Sequence, residues 1–190
     1  MREVIRPGVV LLLTAVIAAL SLSLMREATK DRIAQNAIDA RNAAMGEVLP
    51  AAERFGDIID VVNAGSVTAY SEGFAADTLC GYTVTVVVQG YGGAMELLVG
   101  IRTDGGACAI DGLRVINHSE TPGLGANAKE QGFLSQYENK TGALSVTKSP
   151  SPGANEIQAI TAATITTKAV TSAVNDALAF TSGLQAGGAQ

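Results

Sequence analysis

A run of 19 residues without a charge, Pro7 to Met25 (PGVVLLLTAVIAALSLSLM), lies between Arg6 and Arg26 and limits what the rest of the chain can be. In a helix rising ~1.5 Å per residue, such a run covers most of a ~30 Å hydrocarbon core. A cleaved signal peptide is the competing reading, but no small-x-small pattern closes the run and no lipidation cysteine follows it. Residues 1–25 are therefore expected to form a single membrane anchor, with the lipid bilayer as a partner. Arg2 and Arg6 face Arg26, Lys30 and Arg32 across the run, so the count of positive charges does not choose an orientation. The run holds no ionisable side chain, so no ion path is expected through it.

Beyond Arg26 the pattern changes twice. Ile33, Ala37, Ala40, Ala44 and Val48 recur every three or four residues, which predicts an amphipathic stalk helix over 26–50, ended at Pro50. From Ile58 the texture becomes short β-branched runs. The stretch YTVTVVVQGYGGAMELLVGI reads as two strands around a turn at Gly90 to Gly93, and TDGG at Thr103 to Gly106 leads into ACAIDGLRVIN. A three-stranded antiparallel meander follows from that spacing. Next come the loop HSETPGLGANAKE, a helix from about Ala126 to Tyr137, a strand at Ala143 to Thr147, and the break KSPSPGANE. Val170, Val174 and Leu178, with Ala169, Ala173 and Ala177, give the last helix one apolar face from about Ile165 to Phe180, and Gly183 is expected to stop it. Residues 183–190 are expected to be a flexible tail. The fold class is α+β: an N-terminal transmembrane helix and stalk, then a domain over 51–182 with a curved antiparallel sheet packed by helices.

Charge and composition narrow the partners. The formal net charge is −5; Arg2, Glu3 and Arg6 leave the first 25 residues at +1, so the remainder carries −6. No basic stripe with interleaved aromatics is present to neutralise phosphates, so nucleic acid is not an expected partner. With one histidine, His118, and two cysteines outside any CxxC spacing, no metal site is expected. In the meander, Cys108 falls opposite the region near Ile101, and Cys80 lies one strand further away. Two strand spacings of ~4.8 Å exceed the ~7 Å reach of a disulfide, which predicts two buried free thiols.

Two loops could carry chemistry. In SETPGLG, Ser119 to Gly125, Pro122 fixes one φ while Gly123 and Gly125 permit close approach of the backbone to a ligand. In ITAATITTKAV, Ile160 to Val170, four threonines crowd the start of the last helix, where unpaired N–H groups and the helix dipole favour an anion. Ordinary N-capping by Thr161 or Thr164 is the plainer reading of the same residues.

GYGG at Gly90 to Gly93, ETPGLG at Glu120 to Gly125, and ITAATITTKAV at Ile160 to Val170 stand in the order and spacing of the FMN-binding domain family. Within that family the chain resembles the G subunits of the Rnf electron-transport complex. It is similar also to the C subunit of the sodium-pumping NADH:quinone reductase, which is usually longer. The resemblance implies an electron-relay subunit of a membrane complex that couples ferredoxin:NAD electron transfer to sodium or proton translocation. Its implied partners are the other subunits of that complex and, during maturation, a flavin transferase, and its domain would face the extracytoplasmic side.

The resemblance also implies a covalent FMN, joined by a phosphoester to the last hydroxyl residue of the pattern Asp-x-x-Ser/Thr-Gly-Ala-Thr/Ser. Laid on Gln158 to Thr164, the pattern makes Thr164 the attachment point, with Gln158 at the acidic position, Glu156 two residues earlier, and Ala162 at the glycine. Thr161 and Ala163 belong to the same pattern, and the backbone N–H groups of Thr166 and Thr167 would face the phosphate. From ETPGLG, the residues expected at the cofactor are Glu120, Thr121, Gly123, Leu124 and Gly125, with Leu124 an apolar contact and Thr121 a hydrogen-bonding one. Lys129 is a further candidate for meeting an anionic flavin. His118 and Glu120 could pass protons, yet a carrier needs no dedicated acid and base, so no catalytic residue is assigned. The alternative function is a non-flavinylated extracytoplasmic protein-binding module on one helix, to which Gln158 and Ala162 are the pointers.

Overall fold

The structure is a computed structural model and describes residues 2–104 and 107–187. It opens on α1 (Arg2–Val48), a single helix that contains both the uncharged run and the stalk pattern. Among the described residues no helix is long and apolar enough to cross a membrane. The side chains of Pro7, Val9, Val10, Ile17 and Leu24 in the expected span lie outside the described residues, as do those of Ile33 and Ala37 in the stalk. Where the stalk pattern is described, Ala44 and Val48 are buried and Ala40 is exposed. The chain divides into two compact units, residues 1–41 and residues 42–190.

In the second unit the expected meander is present and is extended by three strands that the pattern alone did not resolve. These are β1 (Arg54–Phe55), β2 (Ile59–Ala64) and β3 (Val67–Ala75), followed by the meander strands β4 (Thr78–Gln89), β5 (Ala94–Asp104) and β6 (Ala107–His118). All pair antiparallel in the order β1-β3-β4-β5-β6, with β2 also on β3. Between β3 and β4 only Ala76 and Asp77 remain, both at positive φ (44° and 70°), the backbone of a two-residue hairpin turn whose twist matches its strands. Of the TDGG turn, Gly105 and Gly106 lie outside the described residues.

Strand alternation divides the sheet into two unlike faces. One carries Val84, Val86, Leu97, Val99, Ile101 and Ile110, all fully buried, and packs with Val170, Ala173, Val174 and Ala177 of the last helix. The other is covered by the C-terminal turn of α1, where Ala44, Met45 and Val48 cluster with Leu98. Gly100 and Gly112 sit opposite each other on β5 and β6 and form a notch for that turn. A Cβ on Gly100 would lie 1.9 Å from the Val48 carbonyl oxygen, so only hydrogen fits there.

After the sheet, the expected single helix over 126–137 is broken into a 3-10 turn (Gly125–Lys129), a short α2 (Gln131–Leu134) and a second 3-10 turn (Ser135–Tyr137). The segment serves as a cap on the sheet, burying Ala128, Phe133, Leu134 and Tyr137, which a single straight helix would not direct to one side. The strand expected at 143–147 is β7 (Ser145–Thr147), and it pairs in parallel with β8 (Glu156–Gln158). The final helix, α3 (Thr164–Gly187), runs past Gly183 instead of stopping there. Thr181 and Ser182 are held to it by bonds to the carbonyls of Ala177 and Leu178 (2.9 and 2.8 Å), and residues 188–190 of the expected tail lie outside the described residues.

Both cysteines are free, as their separation by β5 requires, but they are half-buried and not buried as expected, because each sits near the first residues of its strand, β4 or β6. Cys108 pairs in register with Thr103, two residues beyond Ile101 on β5; the irregularity at Gly100/Ile101 shifts its partner by one residue, from Asp104 to Thr103. The Cys80 thiol donates to the Gly73 carbonyl (3.3 Å), and burial pushes its pKa up.

Candidate functional site

The last helix begins at Thr164 because the chain before it is folded into a tight turn. Ala163 N–H donates to Ile160 O (3.0 Å), and Ala162 takes a left-handed φ of 63° to make that possible. A glycine adopts this conformation without penalty, whereas an L-residue with a Cβ is strained there. Ala162 occupies the glycine position of the family pattern, so the pattern's glycine has a backbone reason.

The four threonines that follow Ile160 have four different roles. Thr161 is exposed in the turn. Thr164 is half-buried at the first helical position. Thr166 is buried and donates its hydroxyl to Glu120 Oε2 (2.8 Å). Thr167 is fully buried: its hydroxyl donates to Ala163 O (3.0 Å) and accepts from Ile160 N–H (3.1 Å). Among the described residues neither the Thr161 nor the Thr164 hydroxyl bonds a helix-start N–H, so neither caps the helix; the threonine that braces the turn is Thr167, through Ile160. The Thr167 backbone N–H is also engaged, by Ala163 O at 3.0 Å. The N–H groups at the open end of the helix are therefore those of Thr164, Ile165 and Thr166, one residue earlier than expected.

Thr164 stands at the rim of a cavity of about 380 Å³, within the size range of small-molecule sites. One wall is the helix start, Ala162 to Thr166; the other is Glu120, Thr121, Leu124 and Gly125 of the ETPGLG loop, with Tyr91 from the GYGG turn. Leu124, Ile165 and Tyr91 are 43%, 56% and 71% exposed, an unusual set of apolar side chains left open around one hollow. Gly125 lies so close to the Glu120 carboxylate and the Thr166 hydroxyl that a Cβ would approach within 2.0 and 2.8 Å.

Glu120 holds the three quoted motifs together. It is 6% exposed; Oε1 accepts from Gly92 N–H (2.9 Å) and Oε2 from the Thr166 hydroxyl (2.8 Å). Gly92 must be glycine because a Cβ would meet Ser119 O at 2.3 Å. His118 Nδ1 accepts from Glu120 N–H (3.2 Å), which orients the loop.

The expected site residues are thus partly brought together. Thr164, Ala163, Thr166, Glu120, Thr121, Leu124 and Gly125 line the cavity. Thr161 lines a neighbouring hollow of about 340 Å³ with Lys148 and Gln158, which Thr164 also borders. Thr167 is committed to the brace, and Gly123, at φ 75°, shapes the loop from outside the lining. Lys129 lines a different cavity, beside Arg114 and Glu138, and does not reach this one. Glu156 accepts from Gly153 N–H (2.8 Å) in the turn before β8. Tyr91 and Ile165 are cavity residues that sequence reasoning missed. A lone aromatic within a glycine turn, and an isoleucine among threonines on the polar side of a helix start, were the available signals.

Comparison with known proteins adds the family. The FMN-binding domain model matches residues 90–179, and the RnfG N-terminal region matches residues 1–48. The G subunit of the proton-translocating ferredoxin:NAD(+) oxidoreductase complex of Clostridium ljungdahlii is 36% identical, over 88% of this chain and 86% of that protein. The chain belongs to the G-subunit family of ion-translocating oxidoreductase complexes. A second relative, the G subunit of the Na(+)-translocating complex of Acetobacterium woodii, is also 36% identical, over 92% of this chain and 89% of that protein. Among solved structures, the C subunit of the Na(+)-translocating NADH-quinone reductase of Parabacteroides distasonis is 22% identical, covering 62% of each chain at a TM-score of 0.47.

Proposed function

We propose that this protein is a membrane-anchored electron relay carrying a covalent FMN on Thr164, within a complex that couples ferredoxin:NAD electron transfer to ion movement. The observation that carries the reading is the cavity at the start of α3, where the attachment residue of the family pattern and the ETPGLG loop form facing walls. The residues fit the group. The open N–H groups of Thr164, Ile165 and Thr166 and the helix dipole offset a phosphate's charge, while Leu124, Ile165 and Tyr91 offer apolar surface to a flat ring. When bound, FMN supplies one- or two-electron transfer. The chain's part is to tether, orient and partly shield it. The Thr164 hydroxyl provides the ester oxygen, and Thr121 offers a hydroxyl at the cavity edge.

The relatives support the assembly: both are subunits of oxidoreductase complexes, one named for protons and the other for sodium. The other members of such a complex are accordingly the proposed partners, and a flavin transferase acts in maturation. Anchorage by the uncharged run, with the domain on the extracytoplasmic side, completes the proposal.

The test is in-gel flavin fluorescence of the full chain after denaturation, from cells containing a flavin transferase. Wild type is expected to fluoresce and Thr164→Ala to be dark. Fluorescence that survives the substitution removes Thr164 as the attachment point. Darkness in both supports the alternative, a protein-binding module without flavin, for which Gln158 at the acidic position is the favouring observation.

A further inference from the structure

We infer that Glu120 is a positioning residue which, through Gly92, latches Tyr91 as an aromatic wall of the cavity. The inference rests on the flavin reading of that cavity. Tyr91 is at the tip of the β4–β5 turn and is 71% exposed, so its own packing does not fix it. Its neighbours do. Gly90 N–H donates to Gly93 O (2.9 Å), closing the turn, and Gly92 N–H donates to Glu120 Oε1 (2.9 Å), pinning the turn to the ETPGLG loop. The fit tolerates nothing larger than hydrogen on either side of Tyr91: a Cβ on Gly90 would come within 2.3 Å of Glu120 Oε1, and one on Gly92 within 2.3 Å of Ser119 O.

The other carboxylate oxygen takes the Thr166 hydroxyl, so the latch is anchored on the first turn of α3. Glu120 thus sets the distance between the turn bearing Tyr91 and the helix start bearing Thr164. Both of its oxygens act as acceptors, and a glutamine can reproduce the geometry without the charge. Its carbonyl would accept from Gly92, and its amide would donate to Thr166, whose hydroxyl can reverse.

Amide exchange at Gly92 in the unflavinylated full chain tests the latch independently of cofactor. Protection is expected in wild type and Glu120→Gln, with exchange about tenfold or more faster in Glu120→Ala. Equal exchange in all three overturns the latch. Should Glu120→Ala not fold, Thr166→Val cuts one arm only, and faster Gly92 exchange in that variant is expected.

In chains shown by mass to carry flavin, Tyr91 against the ring should quench its fluorescence. Native-state fluorescence is expected to rise in Tyr91→Ala and Glu120→Ala and to stay low in Glu120→Gln. Unchanged fluorescence in Tyr91→Ala overturns the aromatic wall, and a rise in Glu120→Gln equal to that in Glu120→Ala overturns positioning in favour of charge. A mass without the flavin increment overturns the flavin reading and the wall with it, while exchange at Gly92 still decides the latch.

Discussion

Two single residues carry local costs that substitution can expose. Ala162 holds φ 63° with a Cβ in place. The left-handed conformation costs an L-residue about 1–2 kcal/mol, and glycine adds about 0.5–1 kcal/mol of unfolded-state entropy. Ala162→Gly is therefore expected to stabilise the chain by about 0.5–1 kcal/mol, read as a higher thermal midpoint in detergent. Thr83 is the second case. Its hydroxyl is buried on β4 with no hydrogen-bond partner among the described residues, facing the side of the sheet that α1 covers. Thr83→Val keeps the shape and removes the orphaned group, with an expected gain of about 1 kcal/mol by denaturant titration at unchanged m value.

The threonines show how far residue type could be read. Their crowding at the helix start was visible, and so was the place of Thr164 in the pattern. Which hydroxyl braces the turn and which meets Glu120 was not, because a helix turn distributes neighbouring side chains to different faces and only the packed partners distinguish them. Thr167 meets Ile160 and Ala163 nearby in sequence, whereas Thr166 meets a loop 46 residues away.

Among elements, the contact between the end of α1 and the sheet is the most exacting. Val48 enters the Gly100–Gly112 notch, and at both positions an added Cβ would strike Val48 backbone atoms (1.9 Å and 2.8 Å). Gly100→Ala is expected to destabilise by about 2–3 kcal/mol, the upper part of the usual overpacking range, because backbone cannot move aside as a side chain does. Limited proteolysis near Leu49 and Pro50 is the accompanying readout, with cleavage expected to become faster once the helix end lifts. The meander could be read from alternation and turn residues. The broken segment over 125–137 could not, since its interruptions answer to the surface it caps and not to its own periodicity.

Across the whole molecule, alkaline pH tests the core beneath the cap. Tyr137 is fully buried, and its hydroxyl shares a bond with Thr171 Oγ1 (2.9 Å). Burial raises its pKa well above the ordinary tyrosine value, the Thr171 bond opposing this only in part; burial also raises Tyr82, with Glu72 adding to the shift. For a group with a raised folded pKa, the stabilisation is complete below the unfolded value of about 10 and is lost as pH climbs beyond it. Stability is expected to be insensitive to Tyr137 ionisation at neutral pH and to fall above about pH 10, by up to about 1.4 kcal/mol per pH unit from this group. Tyr137→Phe should cost about 1 kcal/mol at neutral pH and flatten that alkaline slope, measured by unfolding at stepped pH.

The uncharged run, the antiparallel meander, the start of the last helix and the motifs that mark the family were all determined by the sequence itself, because each is a local property of spacing and residue type. Tertiary structure alone decided that Tyr91 and Ile165 share the hollow with Leu124, that Lys129 serves another surface, and that Glu120 joins the three motifs. The two Glu120 bonds cross 28 and 46 residues of chain, and nothing in local spacing encodes them. They exist because the sheet carries the GYGG turn and the ETPGLG loop to one end, against the first turn of α3, where a buried carboxylate requires donors and finds one on each side.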